Sequence, residues 1–180
     1  VRLNPTLLIF ASLVLLWFGL AQLNHALSPL HVHLFGGGLY VVFSALRLPS
    51  ASGLTLSCLA GLWCDAASPV PFGTHLVLFA LAHTLIRKSR SHIDTRHTPS
   101  LVLVALLTNA ALFLALTIFL ITRTPLIARA VPRLLLDLLL SEALIALVAP
   151  WFFSLQNRLL LIARHSTGST TPSDTFHNRR

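Results

Sequence analysis

Residues 53–73 read GLTLSCLAGLWCDAASPVPFG, and the placing of small and acidic residues in them says what kind of protein this is. Gly53, Ser57 and Gly61 recur every four positions, and the same helical stripe then reaches Asp65. Residues four apart share one face of a helix. The remaining positions are mostly Leu, Ala, Trp and Cys, which suit a hydrocarbon setting. A carboxylate is costly there and is kept only where it faces protein or a wet cavity. The stripe therefore predicts a packing face with a polar end, and Pro69-Val70-Pro71 ends the helix that carries it.

The rest of the chain agrees. Of its 180 residues 55% are hydrophobic and 10% charged, and the mean hydropathy is +0.80, too apolar for an ordinary soluble domain. No Asp, Glu, Lys or Arg occurs from Leu3 to Leu46 or from Leu101 to Thr122. About 20 apolar residues span a bilayer. The expected fold is an all-α integral membrane protein, a compact bundle of about six transmembrane helices.

The expected spans are 6–26, 30–46 (interrupted by Gly36-Gly37-Gly38), 53–67, 72–86, 101–122, and a sixth from about 134 to a stop or kink at Pro150, followed by an interfacial piece to 163. A five-span variant makes the second segment re-entrant, because it is near the short limit for crossing. The first segment is long for a signal sequence, lacks an A-x-A cleavage pattern and runs straight into more apolar sequence, so it reads as a retained span. Residues 1–163 form one polytopic domain, and the Ser/Thr-rich residues 164–180 are expected to be a disordered cytoplasmic tail.

Charge orients the bundle. With both termini cytoplasmic, ten basic residues lie inside (Arg2, Arg47, Arg87, Lys88, Arg90, Arg96, Arg158, Arg164, Arg179, Arg180) and three outside (Arg123, Arg129, Arg133). The formal net charge of +8 is thus a topological signal rather than a nucleic-acid footprint. Arg47, Arg87, Lys88, Arg90 and Arg96 make a basic cytoplasmic face suited to anionic lipid.

The acids are few. Asp65, Asp137 and Glu142 all fall in the outer half of the bundle, below Arg129 and Arg133, and could form one buried polar network. It would act either as a proton or cation relay or a ligand pocket or, more plainly, as a partly wet network of salt bridges between helices. Arg133 and Asp137 are four apart and could pair along one helix. Arg47 lies at the opposite end from Asp65, roughly 15–20 Å away along the helix axis.

His31 and His33 are two apart, do not share a helix face, and have no acid or thiol beside them, so no metal site is expected. His75 and His83 suit inter-helix hydrogen bonds. Cys58 and Cys64, six apart in one helix, cannot bridge. Nucleophile-elbow, Walker and HExxH patterns are missing from the sequence, and neither catalysis nor a cofactor is expected.

From Ala45 to His75 the chain resembles the MreD family of bacterial rod-shape proteins: a short span ending in Arg47, then a G-x3-G-x3-D helix matched by Ser57, Gly61 and Asp65, then Gly73 after the break. Ser57 stands where the family pattern has Gly, and the acids of the last span depart from it. The resemblance implies a non-enzymatic inner-membrane scaffold of the cell-elongation machinery. Its partners would be membrane lipids, an MreC-like bitopic protein, an actin-like cytoskeleton and cell-wall synthases. Gly53, Ser57, Gly61, Asp65 and Gly73 would then serve helix packing or a partner interface.

Proteins of this kind look similar in fold to the substrate-binding components of energy-coupling-factor vitamin transporters. That alternative would place a small ligand under the outer loops and a coupling subunit on Ala111-x3-Ala115. The outer loops at Ser28-Pro29 and 68–71 are too short for a substantial lid.

Overall fold

The computed structural model describes residues 5–68, 70–93, 97–123 and 131–168. They form six α-helices: α1 (Pro5–Leu27), α2 (Gly37–Arg47), α3 (Ser50–Ala67), α4 (Thr74–Lys88), α5 (Thr98–Arg123) and α6 (Val131–Gly168). Among the described residues three segments are long and apolar enough to cross a membrane: Leu7–Leu30, Thr98–Arg123 and Val131–Ile162. The all-helical membrane bundle expected from composition is the fold found.

α2 is the centre. Its residues from Gly37 to Leu46 are all buried, as suits a helix apolar on every side. α3, α4 and α5 surround it, and α6 touches it more lightly. The core runs through Val41, Val42, Phe43 and Leu46 of α2 to Leu56, Phe79, Ala105, Ile145, Phe152 and Phe153. α1 packs on α6 and α3 and buries only 11% of its apolar window.

Two boundaries differ from the expectation. The second segment is not helical from residue 30. A short 3₁₀ turn, Ser28–Leu30, is followed by non-helical backbone from Val32 to Gly36, and α2 starts only at Gly37. With 11 residues, α2 is about 16 Å long, roughly half a hydrocarbon core. The glycines allow the start to sit deep in the bundle. A Cβ on Gly38 would come within 2.4 Å of the Ala105 carbonyl oxygen, so no larger residue lets α2 lie this close to α5.

The second difference concerns Pro150, which neither stops α6 nor starts a separate piece. α6 is one helix of 38 residues with Pro150 inside it. Pro150 is exposed, whereas Ala149, Phe152 and Phe153 are buried. Proline removes one backbone hydrogen bond from α6 but does not end it, as in other membrane helices that carry an internal proline. α6 also runs to Gly168, into the segment expected as tail; residues 169–180 lie outside the described residues.

Candidate functional site

The small-residue stripe is a clamp inside the chain. α3 lies between α2 and α4. A Cβ on Gly53 would stand 2.5 Å from the Ser44 oxygen of α2, and one on Gly61 would stand 2.7 Å from the Leu76 Cα of α4. Between them the Ser57 hydroxyl lies 2.7 Å from the Ser44 hydroxyl and 3.0 Å from His83 Nδ1. One polar chain thus ties α2, α3 and α4, and Ser57 does at the second stripe position what a glycine could not.

Asp65 closes the stripe by capping the next helix. Its Oδ1 accepts the His75 N–H at 2.8 Å, and its Oδ2 accepts those of Gly73 at 3.0 Å and Leu76 at 3.2 Å. His75 Nδ1 lies 2.9 Å from Oδ1, making this an ion pair whenever the imidazole is protonated. Helix N-termini leave N–H groups without partners and attract negative charge. A carboxylate from the end of α3 meets both needs of α4. Gly73 has φ +97°, a left-handed conformation in which a side chain is strained, and this turns its N–H onto the carboxylate.

The other two acids serve a different segment. Backbone from residue 33 to 36 and the first turn of α2 have N–H groups without helical partners, which in a membrane protein must be satisfied by protein. His33 N–H donates to Asp137 Oδ1 at 3.1 Å, and Phe35 N–H donates to the Ser141 hydroxyl at 2.9 Å. Asn24 of α1 takes both groups of Leu34, accepting its N–H at 2.7 Å and donating to its carbonyl at 2.9 Å. Gly38 N–H donates to Asn109 Oδ1 at 3.1 Å, and Asn109 Nδ2 donates to Glu142 Oε1 at 2.9 Å. Side chains from α1, α5 and α6 thus stand in for the missing helical partners.

The predicted single network is therefore two separate devices. Asp65 holds α4, whereas Asp137 and Glu142 hold the entry to α2. Among the described residues no hydrogen bond or ion pair joins these acids, and exposed Arg133 makes none with Asp137. Arg129 lies outside the described residues. Asp137 and the Asp65 partner His75 do line one cavity of about 560 Å³, together with Trp17, Asn24, His33 and Tyr40.

At the other end of the bundle, Arg87 is not free. It donates to the carbonyls of Leu48 at 3.0 Å and Ala45 at 3.4 Å, where α2 runs out of helical donors. Arg47 is half-buried, while Lys88 and Arg90 are exposed; Arg96 lies outside the described residues. Of the histidine pair, His31 is exposed at the end of the 3₁₀ turn and His33 faces the cavity. No set of three or more His, Cys, Asp or Glu suited to a metal exists among the described residues, and Cys58 and Cys64 are free thiols.

The residue patterns above single out none of Asn24, Asn109, Ser141, Ser44 and Tyr40. The signal for Asn109 was there: it is the one amide in the uncharged run 101–122.

Fold and site together define a polytopic helical membrane protein whose buried polar side chains are spent on irregular backbone and helix ends. The family comparison narrows this: the model of the rod shape-determining protein MreD family matches residues 2–159. The chain belongs to that family. No curated protein and no solved structure matches it.

Proposed function

We propose that this protein is a non-enzymatic scaffold of the bacterial cell-elongation machinery, seated in the inner membrane with both termini in the cytoplasm. It links an MreC-like bitopic protein to cell-wall synthases and an actin-like cytoskeleton. Membership of the rod-shape family carries this reading. The use of the three acids is consistent with it, since Asp65, Asp137 and Glu142 are each engaged in holding backbone or another side chain.

What the protein offers a partner is surface. α5 presents Leu103, Leu107, Leu114 and Ile118, and α6 presents Leu135, Leu139 and Leu147, all more than 45% exposed. In a bilayer such faces meet lipid or another helix, and small or shape-matched contacts select the helix. Lys88 and Arg90 offer positive charge at one end of the bundle for anionic headgroups or an acidic surface.

The test is depletion in the host cell with rescue. Loss of the protein should turn rods into spheres, and the chain carrying bulky substitutions at Leu107 and Leu114 should reach the membrane yet fail to restore rods. Rods that persist after depletion would refute the proposal.

A second reading has one observation behind it. The cavity of about 560 Å³, rimmed by Trp17, Phe35, His33, His75 and Asp137, is of the size and make-up of small-molecule sites, as a substrate-binding transporter component would require. Co-purification of paired ATPases with a coupling subunit would favour it.

A further inference from the structure

The cavity of about 560 Å³ sits at one end of the bundle. Its lining includes Asn24 near the end of α1, Ala67 at the end of α3, Leu120 near the end of α5, His75 in the first turn of α4 and Asp137 in the second turn of α6. With both termini in the cytoplasm, as proposed above, that end faces outward.

Two of the lining residues hold a polar atom with no partner. Asp137 is 6% exposed. Its Oδ1 accepts the His33 N–H. Its Oδ2 has no partner among the described residues and, unlike the Tyr40 hydroxyl, is not fully enclosed. His75 is 4% exposed. A carboxylate has no proton to give, so the proton between Asp65 and His75 sits on Nδ1. Nε2 of the neutral ring is then an acceptor. It too has no partner among the described residues and is not fully enclosed.

The charge of Asp137 is more than the backbone needs. The same segment is held elsewhere by neutral groups: the Ser141 hydroxyl accepts the Phe35 N–H, and the Asn109 amide accepts that of Gly38. A carboxylate this buried is costly unless it is paired. Neither the His33 ring nor exposed Arg133 forms an ion pair with it, and the described lining residues include no Lys or Arg.

We infer that this cavity binds an organic cation, a protonated amine with an apolar or aromatic body, whose ammonium donates to Asp137 Oδ2. His75 Nε2 offers a second acceptor to the same ligand. Trp17, Phe35 and Phe113 line the cavity, and aromatic ring faces attract cations. Leu116 and Leu134 suit an apolar body. A bare transition-metal ion fits less well, because no set of three or more His, Cys, Asp or Glu among the described residues could hold one. An anion would be repelled by Asp137, with no cationic side chain among the described lining residues to offset this. The inference rests on the cavity alone and requires neither the scaffold nor the transporter reading.

The experiment is a ligand-observed NMR titration of the full chain in neutral maltoside micelles near neutral pH, with protein-free micelles as the blank. Three probes share a phenyl body and differ in charge: phenethylamine, which is protonated, 2-phenylethanol and phenylacetate. Phenethylamine should bind saturably with a Kd of about 1 mM or tighter, as befits so small a ligand. The other two lack the charge-assisted hydrogen bond and should bind at least about tenfold more weakly. Asp137→Asn keeps an oxygen for the His33 N–H and removes the charge. It should weaken phenethylamine about tenfold or more and leave 2-phenylethanol unchanged. Glu142→Gln, which alters an acid outside the cavity lining, should leave phenethylamine binding unchanged. Circular dichroism melts show that each variant is folded, and if Asp137→Asn is not, the three probes on the wild-type chain decide. The inference is overturned by a wild-type chain that binds no probe, binds all three alike or prefers phenylacetate. It is equally overturned by undiminished phenethylamine binding in Asp137→Asn, or by an equal loss in Glu142→Gln. Partner recovery from membranes is a separate readout, so failure here leaves the scaffold reading standing.

Discussion

Replacing Asp65 by alanine removes four contacts at once: the N–H groups of Gly73, His75 and Leu76 and the ring nitrogen of His75. The Gly73 and Leu76 bonds are part-buried, and water at the helix end can replace them. Both His75 groups are buried and lose their acceptor. An orphaned buried polar group costs about 1–3 kcal/mol, and hydrogen bonds within membranes fall toward the low end, near 0.6 kcal/mol on average. Two orphans and a lost helix cap therefore amount to about 2–4 kcal/mol. Asp65→Asn keeps one accepting oxygen and should fall between alanine and wild type, at about 1–2 kcal/mol by the same reasoning. The assay is reversible unfolding of the full chain in mixed micelles with rising denaturing-detergent fraction, followed by helicity. An Asp65→Ala protein within about 0.5 kcal/mol of wild type, the range of an inconsequential surface change, refutes the capping role. Undiminished stability combined with lost rod-shape rescue would move Asp65 from the fold to partner recognition.

Gly61→Ala should destabilise by about 1–3 kcal/mol as an overpacked contact, because the new Cβ meets the Leu76 backbone 2.7 Å away; Gly19→Ala, with open space around it, should not destabilise in the same unfolding assay. Gly73→Ala meets no clash but must hold φ near +97°, so a loss of about 1–2 kcal/mol from the left-handed backbone is expected, read from the same curves. Asn109→Leu leaves the Gly38 N–H and the Glu142 carboxyl without their partner and should cost about 2–4 kcal/mol. Its first sign should be faster proteolysis or hydrogen exchange in residues 33–38, before the rest of the bundle loosens.

The helical bundle was legible because uncharged runs and the four-residue stripe are local features, visible without knowing what packs on what. Gly61 and Asp65 stood out among leucines, but that Asp65 accepts the first N–H groups of α4 depends on how α3 and α4 pack and was not readable locally. The start of α2 was less readable. Gly36-Gly37-Gly38 marked an interruption, but that residues 33–38 would borrow partners from Asn24, Asp137, Ser141 and Asn109 depends on contacts up to 106 positions apart, which no local pattern encodes. For the same reason the acids looked like one cluster. All three sit toward the same end of the bundle along the chain, yet their lateral positions place Asp65 against α4 and Asp137 against the non-helical segment before α2. Pro150 suggested a stop or a kink; it is not a stop, because α6 runs through it as one helix, and a proline in a membrane helix removes one hydrogen bond without having to end the helix.

Affinity purification of the intact chain from native membranes, tagged at the end that is proposed to be cytoplasmic, tests the functional account most directly, with co-purifying proteins identified by mass spectrometry. The scaffold account predicts a bitopic shape protein together with cell-wall synthases, retained by wild type and lost when Leu107 and Leu114 are made bulky in a chain that still folds. Recovery instead of a coupling subunit with paired ATPases would contradict it and make the chain the substrate receptor of a transporter.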